Sequence, residues 1–215
     1  MTRRALSFDR AKLANISSVL ALGGSIAICA ASPTWAGDML SPQSIASSIG
    51  IDEVRGGFAF SNIEITHNAA FLLNVSSFAQ SRFDSAQFDV FFRSPDWDVF
   101  RWIGSPRPEI GTILSLSGHE NVLHAGLNWH VPLSTSRFYL EGGFGAGFAT
   151  GYLTDPPPGY RGLGCNTLFH WEYGLGAHIN DHVTLTAELQ HVSNDGFCSP
   201  NYGVNNIGVT VGWKF

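Results

Sequence analysis

The sequence predicts an all-β protein, an eight-stranded antiparallel up-and-down transmembrane β-barrel. Three observations carry that expectation. Apolar residues recur at every second position over stretches of strand length, and the positions between them hold mostly Gly, Thr, His and Asn rather than charges. Charged residues make up only 13% of a chain that is 44% hydrophobic, yet past the amino-terminal leader no segment reaches the roughly 18 consecutive apolar residues of a spanning helix. The sequence also closes on an aromatic residue, Phe215, at the end of an alternating segment. Lipid offers no water to exposed sheet edges, so a chain of this kind enters a bilayer only as a closed barrel.

The leader comes first. Arg3, Arg4, Arg10 and Lys12 precede an apolar, small-residue run over 16–31, and Thr34-Trp35-Ala36 offers a small-x-small cleavage site before Gly37. Residues 1–36 therefore read as a cleaved secretory signal and 37–215 as one outer-membrane barrel domain. Removing Arg3, Arg4, Arg10, Lys12 and Asp9 moves the net charge from −5 to −8, a balance that argues against a nucleic-acid partner. Cys29 leaves with the leader. The remaining pair, Cys165 and Cys198, reads as a disulfide in an exported protein.

The alternation places strands near 53–62, 84–93, 108–117, 121–131, 136–147, 166–178, 182–193 and 204–215. Phe169, Trp171, Tyr173, Leu175 and Ala177 alternate with His170, Glu172, Gly174, Gly176 and His178; Ile207, Val209, Val211, Trp213 and Phe215 alternate with Gly208, Thr210, Gly212 and Lys214. If the first strand starts on the periplasmic side, the even-numbered connections are short turns, as at 132–135 and 180–181. The odd-numbered ones are outer loops, as at 150–164 and 194–203, which brings Cys165 and Cys198 to the same rim. The connection 94–107 is longer than a turn requires. A narrow lumen filled with His, Glu and Thr argues against a channel.

The parity that makes Leu185, Ala187 and Leu189 lipid-facing continues through His191 and Ser193. A serine becomes nucleophilic when a base takes its proton, and histidine suits that task near neutral pH. Polar groups on a lipid face are costly unless paired or used. His124, His130, His170 and His178 face the lumen by the same parity and read as a hydrogen-bonded network with Glu172 and Glu188 rather than a metal site; no cofactor is expected.

The run His191-Val-Ser193-Asn194-Asp-Gly196, followed by Pro200-Asn201-Tyr-Gly203, Asn205 and a terminal strand, resembles the carboxy-terminal motif of the PagL family of lipid A 3-O-deacylases. The resemblance implies an outer-membrane ester hydrolase acting on lipid A of lipopolysaccharide from the lipid side. It implies Ser193 as nucleophile and His191 as its base, with Asn194, Gly196 and Asn201 as oxyanion candidates. Asn205 stands where the family's third residue is typically glutamate. It faces outward on the adjacent strand, where its oxygen can orient the histidine without supplying negative charge, so activity is expected to be weaker. Two other functions fit the same scaffold, a non-catalytic structural barrel and an outer-membrane phospholipase. A homodimer is compatible with the sequence.

Overall fold

A computed structural model describes residues 41–67, 73–77, 81–134 and 136–215; the leader and its junction before Gly37 lie outside the described residues. The chain runs as α1 (Pro42–Ser48), β1 (Ile51–Ser61), β2 (Glu64–His67), β3 (Leu73–Ser77), β4 (Arg82–Phe92), α2 (Asp98–Trp102), β5 (Arg107–Ser115), β6 (Asn121–Pro132), β7 (Phe138–Thr150), β8 (Thr167–His178), β9 (Val183–Ser193) and β10 (Val204–Lys214). Strands β1 and β4 to β10 form a closed antiparallel barrel, with β1 pairing to both β4 and β10. All eight strands expected from the alternation are present, their ends displaced by at most a few residues. The fold is a transmembrane barrel, since closure satisfies every strand edge and the outer surface is apolar.

Period two sorts the side chains as lipid and lumen require. On β9, Thr184, Thr186, Glu188, Gln190 and Val192 are buried while Leu185 and Ala187 are exposed. On β10, Asn206, Thr210 and Gly212 are buried while Val209, Val211 and Trp213 are exposed. Phe58, Phe88, Phe144 and Leu175 extend the exposed apolar band around the barrel, a surface suited to hydrocarbon.

The lumen is layered. Near the short-turn end, Arg55 and Arg107 are each paired with both Glu53 and Glu141, at 2.8–2.9 Å for Arg55 Nε–Glu53, Arg107 Nη1–Glu53 and Arg107 Nη2–Glu141. The Phe91 ring lies against both guanidiniums. At the loop end the lumen is apolar instead. There Ile113, Val122, Ala149, Leu168, Val192 and Val204 close around Leu163, which descends from the β7–β8 loop. This plug adds an apolar layer to the His-, Glu- and Thr-filled lumen expected from the sequence, because Leu163 of the β7–β8 loop packs inward on these positions.

The long connection 94–107 is explained by α2. Trp97, Val99 and Trp102 are exposed on and beside it, and the Trp129 indole donates to the Ile103 carbonyl at 2.8 Å, tying the segment to β6. With Trp213 these residues form an aromatic girdle at the short-turn end. At the other end, the β2–β3 hairpin occupies a loop where no strands were expected. Arg82 pairs with Asp84 and Glu120 while lying over Tyr160, and Glu120 accepts from the Arg161 backbone N–H, so three loops are held together.

Cys165 and Cys198 are bonded, as their shared rim position predicts, with Cα atoms 5.9 Å apart and 33 residues of separation. In the chain-entropy model such a loop contributes about 3–4 kcal/mol. Replacing both cysteines by alanine is expected to leave a folded barrel of lower thermal midpoint, which heat-dependent electrophoretic mobility would measure; an unchanged midpoint would contradict this role.

Candidate active site

Strand register assembles the outward-facing row. Asn205 of β10 pairs with His191 of β9, and on the other side Trp171 and Phe169 of β8 pair with His191 and Ser193. Directly opposed residues share a face with short Cβ separations, so Trp171, His191 and Asn205 meet across three strands.

The imidazole is fixed from several directions. His191 Nδ1 lies 2.6 Å from Asn205 Oδ1, and Asn205 Nδ2 donates to the Ile63 carbonyl at 2.8 Å. A carbonyl can only accept, so this bond commits the NH₂ of Asn205 and turns its oxygen toward the histidine. Nδ1 then carries the proton and Nε2 keeps the lone pair. The Ile63 N–H returns to the Asn205 carbonyl at 3.1 Å, closing the contact between this loop and β10. The Trp171 ring stacks on the imidazole with centroids 4.6 Å apart and planes 27° from parallel. Gly203 has φ +58°, and a Cβ there would lie 2.8 Å from His191 Cε1 and 3.3 Å from Nε2. Only glycine combines that backbone conformation with room for the ring.

Ser193 lies two residues beyond His191 on the same face, about 7 Å away between α-carbons. It lines a surface recess of about 200 Å³ together with Phe144, Phe169, Trp171 and Asp195. Phe169 also stacks on Phe144 and contacts Phe197, extending the aromatic wall. The recess therefore sets an aromatic wall beside the Ser193 hydroxyl and the Asp195 carboxylate.

The oxyanion candidates separate. Both protons of the Asn194 amide are committed, to the Leu163 and Pro200 carbonyls at 2.7 and 3.0 Å, and its oxygen accepts the Gly196 and Cys198 N–H groups. Asn194 is buried, and together with Gly196 it organises the loop rather than presenting donors to a ligand. Asp195 and Gly196 sit at φ +50° and +86°, the turn chemistry that an Asp-Gly pair favours. Asn201 differs: its Oδ1 accepts the Asn194 N–H at 3.1 Å, which turns its NH₂ away, and the residue is exposed. Trp171, Gly203 and the Ile63 carbonyl were not anticipated, since cross-strand register and loop placement decide their contacts. The Gly203 position within the motif was the available signal.

The fold and this row define a membrane-embedded barrel with a polar site on its lipid-facing wall. The chain matches the model of the lipid A 3-O-deacylase (PagL) family over residues 85–214, and it belongs to that family. Among solved structures it is similar to the crystal structure of the outer membrane enzyme PagL, with TM-score 0.50, 13% identity, and coverage of 76% of this chain and 99% of that one. It is also similar to Neisserial surface protein A, with TM-score 0.47, 11% identity and coverage of 77% and 97%. A further similar structure is the outer membrane protein Ail of Yersinia pestis, with TM-score 0.40, 10% identity and coverage of 76% and 99%. At these identities the likeness is one of fold. No curated protein sequence matches the chain.

Two outcomes test the geometry. In ¹⁵N-labelled protein, His191 should hold its proton on Nδ1, and Asn205→Ala should shift the tautomer balance toward Nε2; an unchanged spectrum would remove Asn205 from the site. Gly203→Ala should displace the imidazole and lower ester hydrolysis at least tenfold while the barrel remains heat-modifiable, since misplacement near reacting atoms costs up to about 100-fold.

Proposed function

We propose that this protein is an outer-membrane lipid A deacylase that hydrolyses the 3-O-linked acyl ester through Ser193 and His191. The observation that carries the reading is the outward-facing His191–Asn205 pair beside a serine that lines an aromatic-walled recess. A hydrolytic site built on the lipid side of a barrel suits a substrate that never leaves the bilayer. Family membership supports the reaction class. With the long loops at the cell exterior, after export directed by residues 1–36, the row lies at the depth of the outer leaflet.

In this mechanism His191 Nε2 takes the proton from Ser193 Oγ, and Oγ attacks the ester carbonyl. Asn201 is the side-chain donor available to the developing oxyanion, because Asn194 and Gly196 are committed within the loop. Collapse of the tetrahedral intermediate expels the sugar hydroxyl, which receives the proton from His191. Water then attacks the acyl-serine with His191 again as base.

Asn205 performs half of the usual third residue's task. In the serine-protease template, an Asp-to-Asn change costs about 10⁴ in rate because the histidine adopts the wrong tautomer. Here the Ile63 carbonyl holds the amide, so the oxygen faces the ring and the productive tautomer is kept. Stabilisation of the imidazolium by a full negative charge is missing. The stacked Trp171 face supplies part of it, since a cation over an indole gains about 0.5–2 kcal/mol. Trp171→Leu should therefore lower kcat about 2- to 30-fold.

The decisive measurement is mass spectrometry of lipid A from cells expressing the wild type or Ser193→Ala. Loss of the 3-position 3-hydroxyacyl chain with the wild type alone is the expected result. Unchanged lipid A with altered phospholipids would redirect the activity to a phospholipase, and activity found only in Asn205→Glu would mark a lapsed enzyme on a structural barrel.

A further inference from the structure

Between the Arg–Glu layer and the apolar plug, three strands each place a Glu or His in the lumen, with a polar residue on one side and an apolar one on the other. Glu109 lies between Arg107 and Ile113 on β5, His124 between Asn128 and Val122 on β6, and His170 between Glu172 and Leu168 on β8. These three residues converge: one ligand atom from each lies within 4.8 Å of the others. Glu109 Oε1 is 3.7 Å from His124 Nδ1 and 3.9 Å from His170 Nδ1, and the two rings are stacked with centroids 4.0 Å apart. Asp89 Oδ1 stands 3.2 Å from the other nitrogen of His124, Nε2.

All four side chains are more than nine-tenths buried, and among the described residues none of their ring nitrogens or carboxylate oxygens makes an aligned hydrogen bond. Buried polar atoms are normally satisfied, so four such residues pointing at one another call for a common partner. The two carboxylate–imidazole separations, 3.7 and 3.9 Å, exceed hydrogen-bond lengths and lie up to half an ångström beyond about 3.4 Å, the spacing of two ligand atoms on a tetrahedral ion with bonds near 2.1 Å, so a small inward movement of the side chains would seat one. Charge agrees: the buried lumen holds Glu53, Asp89, Glu109, Glu141, Glu172 and Glu188 against Arg55 and Arg107 alone. Gly111 makes the room, since a Cβ there would collide with Asp89 Oδ1 and lie 2.6 Å from His124 Nε2.

We infer that Glu109, His124 and His170 form a binding site for a divalent transition-metal ion, zinc above all, inside the barrel. Two imidazoles and a carboxylate suit zinc-like ions better than magnesium or calcium, which take oxygen ligands. With Nδ1 on the ion, the remaining proton of His124 sits on Nε2, which faces Asp89 Oδ1 at 3.2 Å, so that binding would complete the carboxylate–histidine–metal arrangement that sets tautomer and ring orientation. The ion pins β5, β6 and β8 from within and takes no part in ester hydrolysis. On this assignment His124 and His170 are ligands, while His130 Nδ1 lies 3.0 Å from Glu141 Oε1 in the lumen network.

The test uses the full chain extracted from membranes in detergent, and the same chain refolded with Co²⁺ because the site is enclosed. After washing with EDTA, elemental analysis should find one zinc per chain, and the cobalt form should show the visible absorption of a tetrahedral site. His170→Phe and Glu109→Gln should cut retained metal at least tenfold, and Asp89→Asn should weaken binding about 10- to 100-fold. His191→Ala should retain the ion, which excludes binding at the outer surface. Heat-modifiable mobility checks folding in each case, and Asp89→Asn carries the test if the ligand variants do not fold. Folded wild type without metal in both preparations, or folded ligand variants that hold as much as the wild type, would overturn the assignment.

Discussion

The pairing register of β8, β9 and β10 is the constraint on which the rest of the structure depends. Each strand residue faces either lipid or lumen, and a slip of one position would exchange the two sets. Register keeps Thr186, Glu188 and Gln190 inside and holds Trp171, His191 and Asn205 in one outward row. The polar lumen and the lipid-side site are therefore one arrangement viewed from opposite sides of the wall. His170 and Trp171 illustrate this: consecutive residues of β8, one joins Glu109 and His124 in the lumen and the other stacks on His191 outside.

The wall is supported at both ends by different physics. Near the short turns, paired arginines and glutamates lock the lumen, an arrangement in which removing one partner strands a buried charge. Near the loops, an apolar plug does the same work through packing, with a disulfide and the Arg82–Glu120 bridge above it. The outward row of Trp171, His191 and Asn205 lies beside this second region, on strand ends backed by the apolar plug. That support matters for the proposed nucleophile and base, which sit on a surface rather than in a cleft.

Much of this was legible in the sequence. Alternation of the kind seen in Phe169–Ala177 and Ile207–Phe215 is sufficient to place these strands, because lipid on one side and lumen on the other enforce the period. Loop parity was sufficient to bring Cys165 and Cys198 together. The same parity put His191, Ser193 and Asn205 outside, and the burial pattern agrees. What failed to appear was whatever depends on contacts between distant segments. The commitment of Asn194 to Leu163 and Pro200, the docking of Ile63 on Asn205 and the convergence of Glu109 with two histidines arise from residues on different strands and loops. The helix α2 escaped notice for another reason: its Trp and Val residues are exposed to an interface, so they do not follow strand or core periodicity.

Ile63 lies just past the end of β1, where the first long loop leaves the barrel, and its carbonyl is what keeps the Asn205 amide from turning over. The tautomer of His191 is thus set by a loop that contributes only a backbone carbonyl to the row. A loop in that role behaves as a latch: drawn a short distance from the wall, it frees the amide to rotate, and the histidine loses its acceptor without any residue of the row having changed.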